Sequence, residues 1–485
     1  MNEYGLSIGE STWGGREELN GDSIDDFIMD YGSLIYVTLQ RCKTAKEAIN
    51  TMIDLANTHG YHSSGETFTI ADKDEIWIMD FIGKGTKYID GTDQTKVVYV
   101  AQKITDGHIS GHANQARTMV VDTSAAQDPD SFIFAADVKT FAVRCQFITD
   151  DGTPNVDFTE AYNPLTFSGL RACEARVFTF FNRAGIEKLD QFHDYIRGHD
   201  KHNRFALSYE LTKQDKLTVS KLQDAIGDHY ENTPLDMTKD VGAGPWKFKH
   251  RFHPLEWTVK NEHGEEDHYL HERPIGTQQT GWSFIAVLPH NDVAEEERRF
   301  KSTFYFGVDD ATYSVHIPFY PCITRLPACL ESKPSTSGVD HEVYSISHFS
   351  RESLFWVSNL VANFAYQDQE HIGAAVLKKR KDLDDYLASA KEQPDTEIMR
   401  IYTEQGKDAA CEYATVVCNE WAEMVHAEWT QLFEHLFVKY VDMVQRSETE
   451  GHRDPTITPL EYPREWVNRI AKYTGTHYLM NQPKQ

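Results

Sequence analysis

Residues 67–81 read TFTIADKDEIWIMDF and residues 97–119 read VVYVAQKITDGHISGHANQARTM. Residues 67–71, 75–81 and 97–104 are β-branched and aromatic runs separated by polar turns, the pattern of adjacent antiparallel strands in a meander. The third strand is expected to run through Asp106-Gly107 into residues 112–117, HANQAR. That segment is small, polar and amide-bearing at the place where a strand delivers side chains to a site, so chemistry is sought there.

Upstream, residues 2–8 read as a strand closed by Gly9 and by Gly14-Gly15, with Glu10, Ser11 and Thr12 presented at its end. Apolar residues then recur with helical spacing at Ile35, Leu39, Cys42, Ala45, Ile49, Met52 and Ala56. Thr44-Ala45-Lys46-Glu47 fits a capping box that starts a second helix, and Gly60 stops it. Downstream, residues 127–164 are acidic and loop-rich around one apolar segment, 132–147. Leu170, Cys173, Val177 and Phe181 then follow a helical period with Arg171 and Arg176 between them.

Residues 282–288 and 303–318 read as strands of a second sheet. Beyond Pro334 the character changes. Leu354, Val357, Val361 and Phe364, and later Ala414, Val417, Trp421, Val425, Leu432 and Leu436, are stripes on long helices, separated by the charged stretch 378–385 and a loop around Pro394. Residues 480–485 read as a frayed tail. The expected architecture is α+β: two antiparallel sheets face to face with helices outside, a four-layer αββα sandwich over residues 1–345, followed by a mainly helical region over 346–485.

The chain has 485 residues, with 48 Lys plus Arg against 75 Asp plus Glu and a formal net charge of −27. Such a surface repels phosphate backbones and anionic headgroups, so neither nucleic acid nor membrane is an expected partner. No apolar run approaches the ~20 residues of a membrane-spanning helix, and the chain reads as soluble. Its seven cysteines are odd in number and lack C-x-x-C spacing, which predicts reduced thiols rather than a disulfide framework or zinc ribbon. Ser11, in Gly9-Glu10-Ser11-Thr12-Trp13, lacks the second glycine of a nucleophile elbow. His108 and His112 stand four apart without a His-Glu-x-x-His motif, and His250 has no such neighbour, so these read as structural or exposed. Gly242-Ala243-Gly244 lacks the third glycine and preceding strand of a dinucleotide loop. No cofactor and no metal is implied.

The segments Asn2-Glu3-Tyr4-Gly5-Leu6, Ala71-Asp72-Lys73-Asp74-Glu75-Ile76-Trp77, Val100-Ala101-Gln102-Lys103-Ile104 and Ala113-Asn114-Gln115 resemble those of a known family. They are followed in order by 233–246, Glu272-Arg273-Pro274-Ile275, 319–327 and 353–365. The family is the PepD-like, secernin-related dipeptidases of the cysteine N-terminal-nucleophile hydrolases. The resemblance covers most of the chain. It implies an N-terminal-nucleophile hydrolase sandwich and a cysteine-type dipeptidase, an exopeptidase that hydrolyses short peptides through an acyl-cysteine intermediate. A homo-oligomer is compatible with it.

By the same resemblance Asn114 falls at an oxyanion donor position, and Thr12 stands where relatives carry an asparagine donor, so that a hydroxyl or a neighbouring backbone amide would substitute. Arg176, in Glu174-Ala175-Arg176-Val177, falls near an arginine that faces the nucleophile, and Arg171 fits the same place. One departure stands out. The family's nucleophilic cysteine lies upstream of the Asn-Glu-x-Gly-Leu element, which begins here at residue 2, and neither Cys42 nor Cys145 can be moved into its role. The nucleophile is therefore expected upstream of this chain, where a leader would also decide between a cytoplasmic and a lysosomal or secreted location. The alternative is a catalytically inactive, secernin-like scaffold or interaction protein.

Overall fold

The computed structural model describes residues 1–20, 27–89, 95–212, 216–252, 254–289, 292–331 and 348–480, and the fold is α+β. Its first strand, β1, is Ser7–Trp13 and begins later than the expected 2–8. Asn2 is the reason: its Oδ1 accepts from the Tyr4 and Leu6 amides at 3.0 and 3.1 Å, curling the segment into a turn completed by Gly5 at φ +79°. Glu10, Ser11 and Thr12 consequently lie within the strand, on alternating faces.

Helix α1 (Tyr31–Arg41) and helix α2 (Ala45–His59) follow. Asn2 Nδ2 donates to the Leu39 and Cys42 carbonyls at the end of α1, at 2.9 and 2.8 Å, which docks the first turn on that helix. The capping box at the start of α2 is formed by Thr44 and Glu47, and Gly60 ends the helix at φ +71°. Strands β2 (Gly65–Ala71), β3 (Ile76–Gly83) and β4 (Val97–Lys103) form the antiparallel meander. The chain then leaves the sheet instead of prolonging β4 into residues 112–117. Gly107 turns it at φ +80°, and β5 (His108–Ser110) belongs to a separate two-stranded ribbon. Strand β6 (Phe132–Phe134) returns to pair with β4, so the sheet order is β1-β2-β3-β4-β6 with β1 at one margin. One face of this sheet, carrying Ile8, Phe68, Ile70, Met79 and Phe81, buries against Ala48, Ile49, Met52 and Ala56 of α2.

A π-helical turn, Gly169–Glu174, runs into helix α3 (Ala175–Arg183), burying Leu170, Val177 and Phe181 as their spacing predicts. Strand β7 (Ser208–Glu210) partners β5. The second sheet is β8 (Trp282–Val287), β9 (Thr303–Val308) and β10 (Ile317–Phe319), all antiparallel. Residues 309–316 break the strand expected over 303–318. Asp309 is left-handed at φ +68°, and the Asp310 carbonyl takes the amides of Tyr313 and Ser314 at 3.0 Å each.

The C-terminal region holds α4 (Leu354–Ala365), α5 (Ala374–Ala390), α6 (Glu392–Gln405) and α7 (Lys407–Tyr440), with a further, separate helix at Arg464–Thr474. Helices α4 to α7 share one core with β10, in which Ile317 and Phe319 join Val361, Leu387, Ile398 and Trp421. The expected loop around Pro394 is absent because the proline sits in the first turn of α6, where a missing amide proton costs nothing. The charged stretch 378–385 stays helical within α5, laced by Lys378–Asp382 and Lys381–Asp385 pairs. The expected boundary at 345/346, and residues 481–485 of the tail, lie outside the described residues. No described helix is long and apolar enough to cross a membrane.

Candidate active site

A cleft of about 730 Å³ opens between the two sheets, lined by Ser11 of β1, Thr69 of β2, residues 110–114, Arg176 of α3 and Phe284 of β8. The segment that follows β5 has no regular structure, yet it is fastened along its length. The Arg117 and Thr118 amides donate to Asp80 Oδ2 at 3.1 and 2.8 Å, and the Ala116 amide donates to Asn163 Oδ1 at 3.0 Å. Asp80 is wholly buried, which pushes its carboxyl up, while Thr67 and these amides hold it back down.

Asn114 stands at φ +54°, a conformation asparagine tolerates better than most residues, and this turns its side chain toward β1. Its Nδ2 donates a short hydrogen bond to the Thr12 carbonyl, and its Oδ1 accepts from Arg176 at 2.8 Å. The amide's orientation follows from its partners, because a guanidinium only donates and a carbonyl only accepts. Arg176 is itself fixed by donating to the Ala172 carbonyl at 2.7 Å. Asn114, Thr12 and Arg176, singled out separately in the sequence, thus form one hydrogen-bonded chain. Arg171, which fitted the same place, pairs instead with Glu272. The Thr12 hydroxyl points to the opposite face of the sheet and donates to Glu66 at 2.9 Å, so Thr12 meets Asn114 through its backbone carbonyl.

Sequence reasoning did not bring Ser11, His112 and Thr69 together. Ser11 Oγ lies 2.6 Å from His112 Nδ1, Thr69 Oγ1 lies 2.7 Å from His112 Nε2, and the Asn114 amide donates to Ser11 Oγ at 3.2 Å. A neutral imidazole accepts from one hydroxyl and donates to the other, locking β1, β2 and the site segment to each other. Burial, and secondarily the Arg117 charge, push the His112 pKa down to about 4. Its folded value lies below the unfolded ~6.5, so the unfolded chain binds the extra proton between those limits. The contribution of His112 is complete above about pH 6.5 and is lost as pH falls toward 4. Urea midpoints of the wild type are expected to fall more steeply across that window than those of His112→Gln; parallel slopes would show that the imidazole does not titrate there.

Among the described residues lining the cleft none is a cysteine, and all seven cysteines are free. Cys173 lies behind the cleft wall, where burial pushes its thiol up against the opposing pull of Arg176 and Arg273. The remaining motifs are structural. His250 Nε2 sits 2.9 Å from Asp310, both fully buried, and Asp310 also accepts from Tyr366 at 2.8 Å. His108 Nδ1 lies 3.2 Å from Ser208 Oγ on the β5–β7 ribbon. Val241–Ala243 is a 3-10 turn capped by Asp240. Among the described residues no three His, Cys, Asp or Glu side chains converge as metal ligands. The profile of peptidase family C69 matches residues 1–382, a span that contains every residue of this cleft.

Proposed function

The chain belongs to peptidase family C69, whose members are hydrolases acting on peptides, and on that premise we propose that it hydrolyses dipeptides and other short peptides in the inter-sheet cleft. The route would pass through an acyl-cysteine intermediate on an αββα N-terminal-nucleophile hydrolase scaffold. The observation that carries this is the chain from the Thr12 carbonyl through the Asn114 amide to Arg176.

Only one of the two Nδ2 hydrogens of Asn114 is spent on Thr12, leaving the other to donate to the oxygen of a scissile carbonyl. Arg176, bonded to the far end of the same amide, draws charge toward Oδ1 and strengthens that donor. Thiolate attack forms a C–S bond and places negative charge on the carbonyl oxygen. Collapse breaks the C–N bond and the amine leaves with a proton; water then cleaves the thioester to the acid and restores the thiol. We place that thiolate beside the outer edge of β1; among the described residues lining the cleft none is a cysteine.

A second reading is peptide binding without turnover, as in a secernin-like scaffold. Amino-acid release from a dipeptide panel, before and after iodoacetamide, separates the two. Hydrolysis abolished by alkylation supports the acyl-cysteine route, and hydrolysis surviving complete alkylation overturns it. Peptides that bind and are never cut leave the scaffold.

A further inference from the structure

We propose that Cys322 and Cys411 form a dithiol that a hydroperoxide closes into a disulfide, a modification site that pins the second sheet to the C-terminal helices. Neither thiol lines the inter-sheet cleft, so the inference stands apart from the peptidase reading.

The chain that follows β10 is laid along the first turns of α7. The Thr324 amide donates to Thr415 Oγ1 at 3.0 Å, and Thr415 donates in turn to the Cys411 carbonyl, one helical turn back, at 2.7 Å. Arg325 forks onto Glu412 with bonds of 3.0 and 2.6 Å. That register sets Cys322 against Cys411. The two thiols are close enough to hydrogen-bond to each other, and each is 6% exposed. Sulfurs held in contact by a fixed backbone can be bridged with little movement of the chain. Other cysteines are placed differently: Cys42 donates to Thr51 Oγ1 at 3.1 Å, Cys329 lies against Glu423, and Cys418 is two turns beyond Cys411 on α7.

The surroundings divide the roles. Burial pushes the Cys411 thiol up, but a hydrogen bond from Cys322 and the charges of Arg299 and Lys407 pull it back. Burial pushes Cys322 up as well, and there the Cys411 charge adds to it. Cys411 is therefore the first of the two to ionise, with Cys322 still protonated beside it, and the thiolate is the form that attacks. A cavity of about 500 Å³ is lined by both cysteines together with Arg299 and Lys407, which is room for a small peroxide.

Attack of Cys411 Sγ on hydrogen peroxide breaks the O–O bond, leaving a sulfenic acid and, once the departing oxygen takes a proton, water. Cys322 Sγ then attacks that sulfur. The S–S bond forms, the S–O bond breaks, and the hydroxyl leaves with the Cys322 proton as a second water. Two thiols are oxidised and one peroxide is reduced. The closed loop would contain α4, α5 and α6, so the bridge constrains the unfolded chain over the region that packs on β10.

The full chain, treated with hydrogen peroxide, alkylated, digested without reductant and mapped by mass spectrometry, tests this. A linked peptide pair carrying Cys322 and Cys411 is expected, lighter by two hydrogens and separated by dithiothreitol. The urea midpoint should rise on linkage and return on reduction. In peroxide-treated Cys322→Ser, which keeps the attacking thiol, dimedone should label Cys411, whereas in Cys411→Ser it should leave Cys322 unlabelled. Linkage of either cysteine to Cys418 would overturn the pairing, as would the lack of any link at peroxide doses that oxidise the exposed Met443 and Met480. Equal midpoints before and after linkage would overturn the clamp. Dimedone on Cys322 in Cys411→Ser would reverse the order of attack.

Discussion

Asn114→Gly is expected to lower kcat on short peptides by about 10²- to 10³-fold, the usual cost of removing one preorganised oxyanion donor, and to leave KM nearly unchanged. Glycine suits this test because Asn114 sits at φ +54°, where alanine would add backbone strain of about 1 kcal/mol and confuse loss of chemistry with loss of structure. The kcat-against-KM split matters because the amide bonds Thr12 and Arg176 in the resting protein. A merely structural asparagine would, on removal, loosen both walls of the cleft and raise KM as well as lowering kcat. Asn114→Asp sharpens the comparison. The carboxylate keeps an oxygen for Arg176 but has no hydrogen to donate, and it faces the Thr12 carbonyl with like polarity. Its kcat should fall as far as that of Asn114→Gly although its pairing with Arg176 is stronger. Wild-type kcat in Asn114→Gly would end the oxyanion assignment.

How much of this was legible beforehand depended on the range of the interaction involved. The capping box of Thr44 and Glu47, the meander and the helical period through Leu170, Val177 and Phe181 are local patterns, and each sits where its spacing placed it. The start of β1 lies later than its local pattern indicates because Asn2 bonds carbonyls at the end of α1, 37 and 40 residues away, which no pattern within residues 2–8 records. Pro394 signalled a break without saying on which side of it a helix would begin. Ser11 and His112 are 101 residues apart and make no motif, so their contact exists only once Gly107 has turned the chain out of the meander and back over β1. Asn114, Thr12 and Arg176 were named for their resemblance to family positions, whereas their mutual hydrogen bonds are visible only in the folded chain.

The support behind the cleft carries the largest expected effect on stability. Arg117 Nε lies 3.1 Å from Glu174, the two side chains being 3% and 4% exposed, and Tyr195 donates to the same carboxylate at 3.0 Å. The guanidinium also donates to the carbonyls of Gly111 at 2.8 Å and Ala206 at 3.0 Å, and stands 4.8 Å from the centre of the Phe205 ring. Glu174→Ala would leave a buried cation facing carbonyls and an aromatic ring without its counter-charge, and is expected to cost about 3–5 kcal/mol in urea unfolding. Replacing both partners, Arg117→Met with Glu174→Leu, should cost much less than Glu174→Ala alone, since no buried charge is then stranded. The double variant nevertheless loses the bond that holds the Gly111 carbonyl just ahead of His112. It is therefore expected to be destabilised less than Glu174→Ala, the stranded Tyr195 hydroxyl and freed carbonyls still costing about 1–3 kcal/mol, and to bind peptide more weakly through a loosened segment 111–114. Should Glu174→Ala unfold within 1 kcal/mol of the wild type, water must already reach the guanidinium. In that case the site segment is held by Asp80 and Asn163 rather than by this pair.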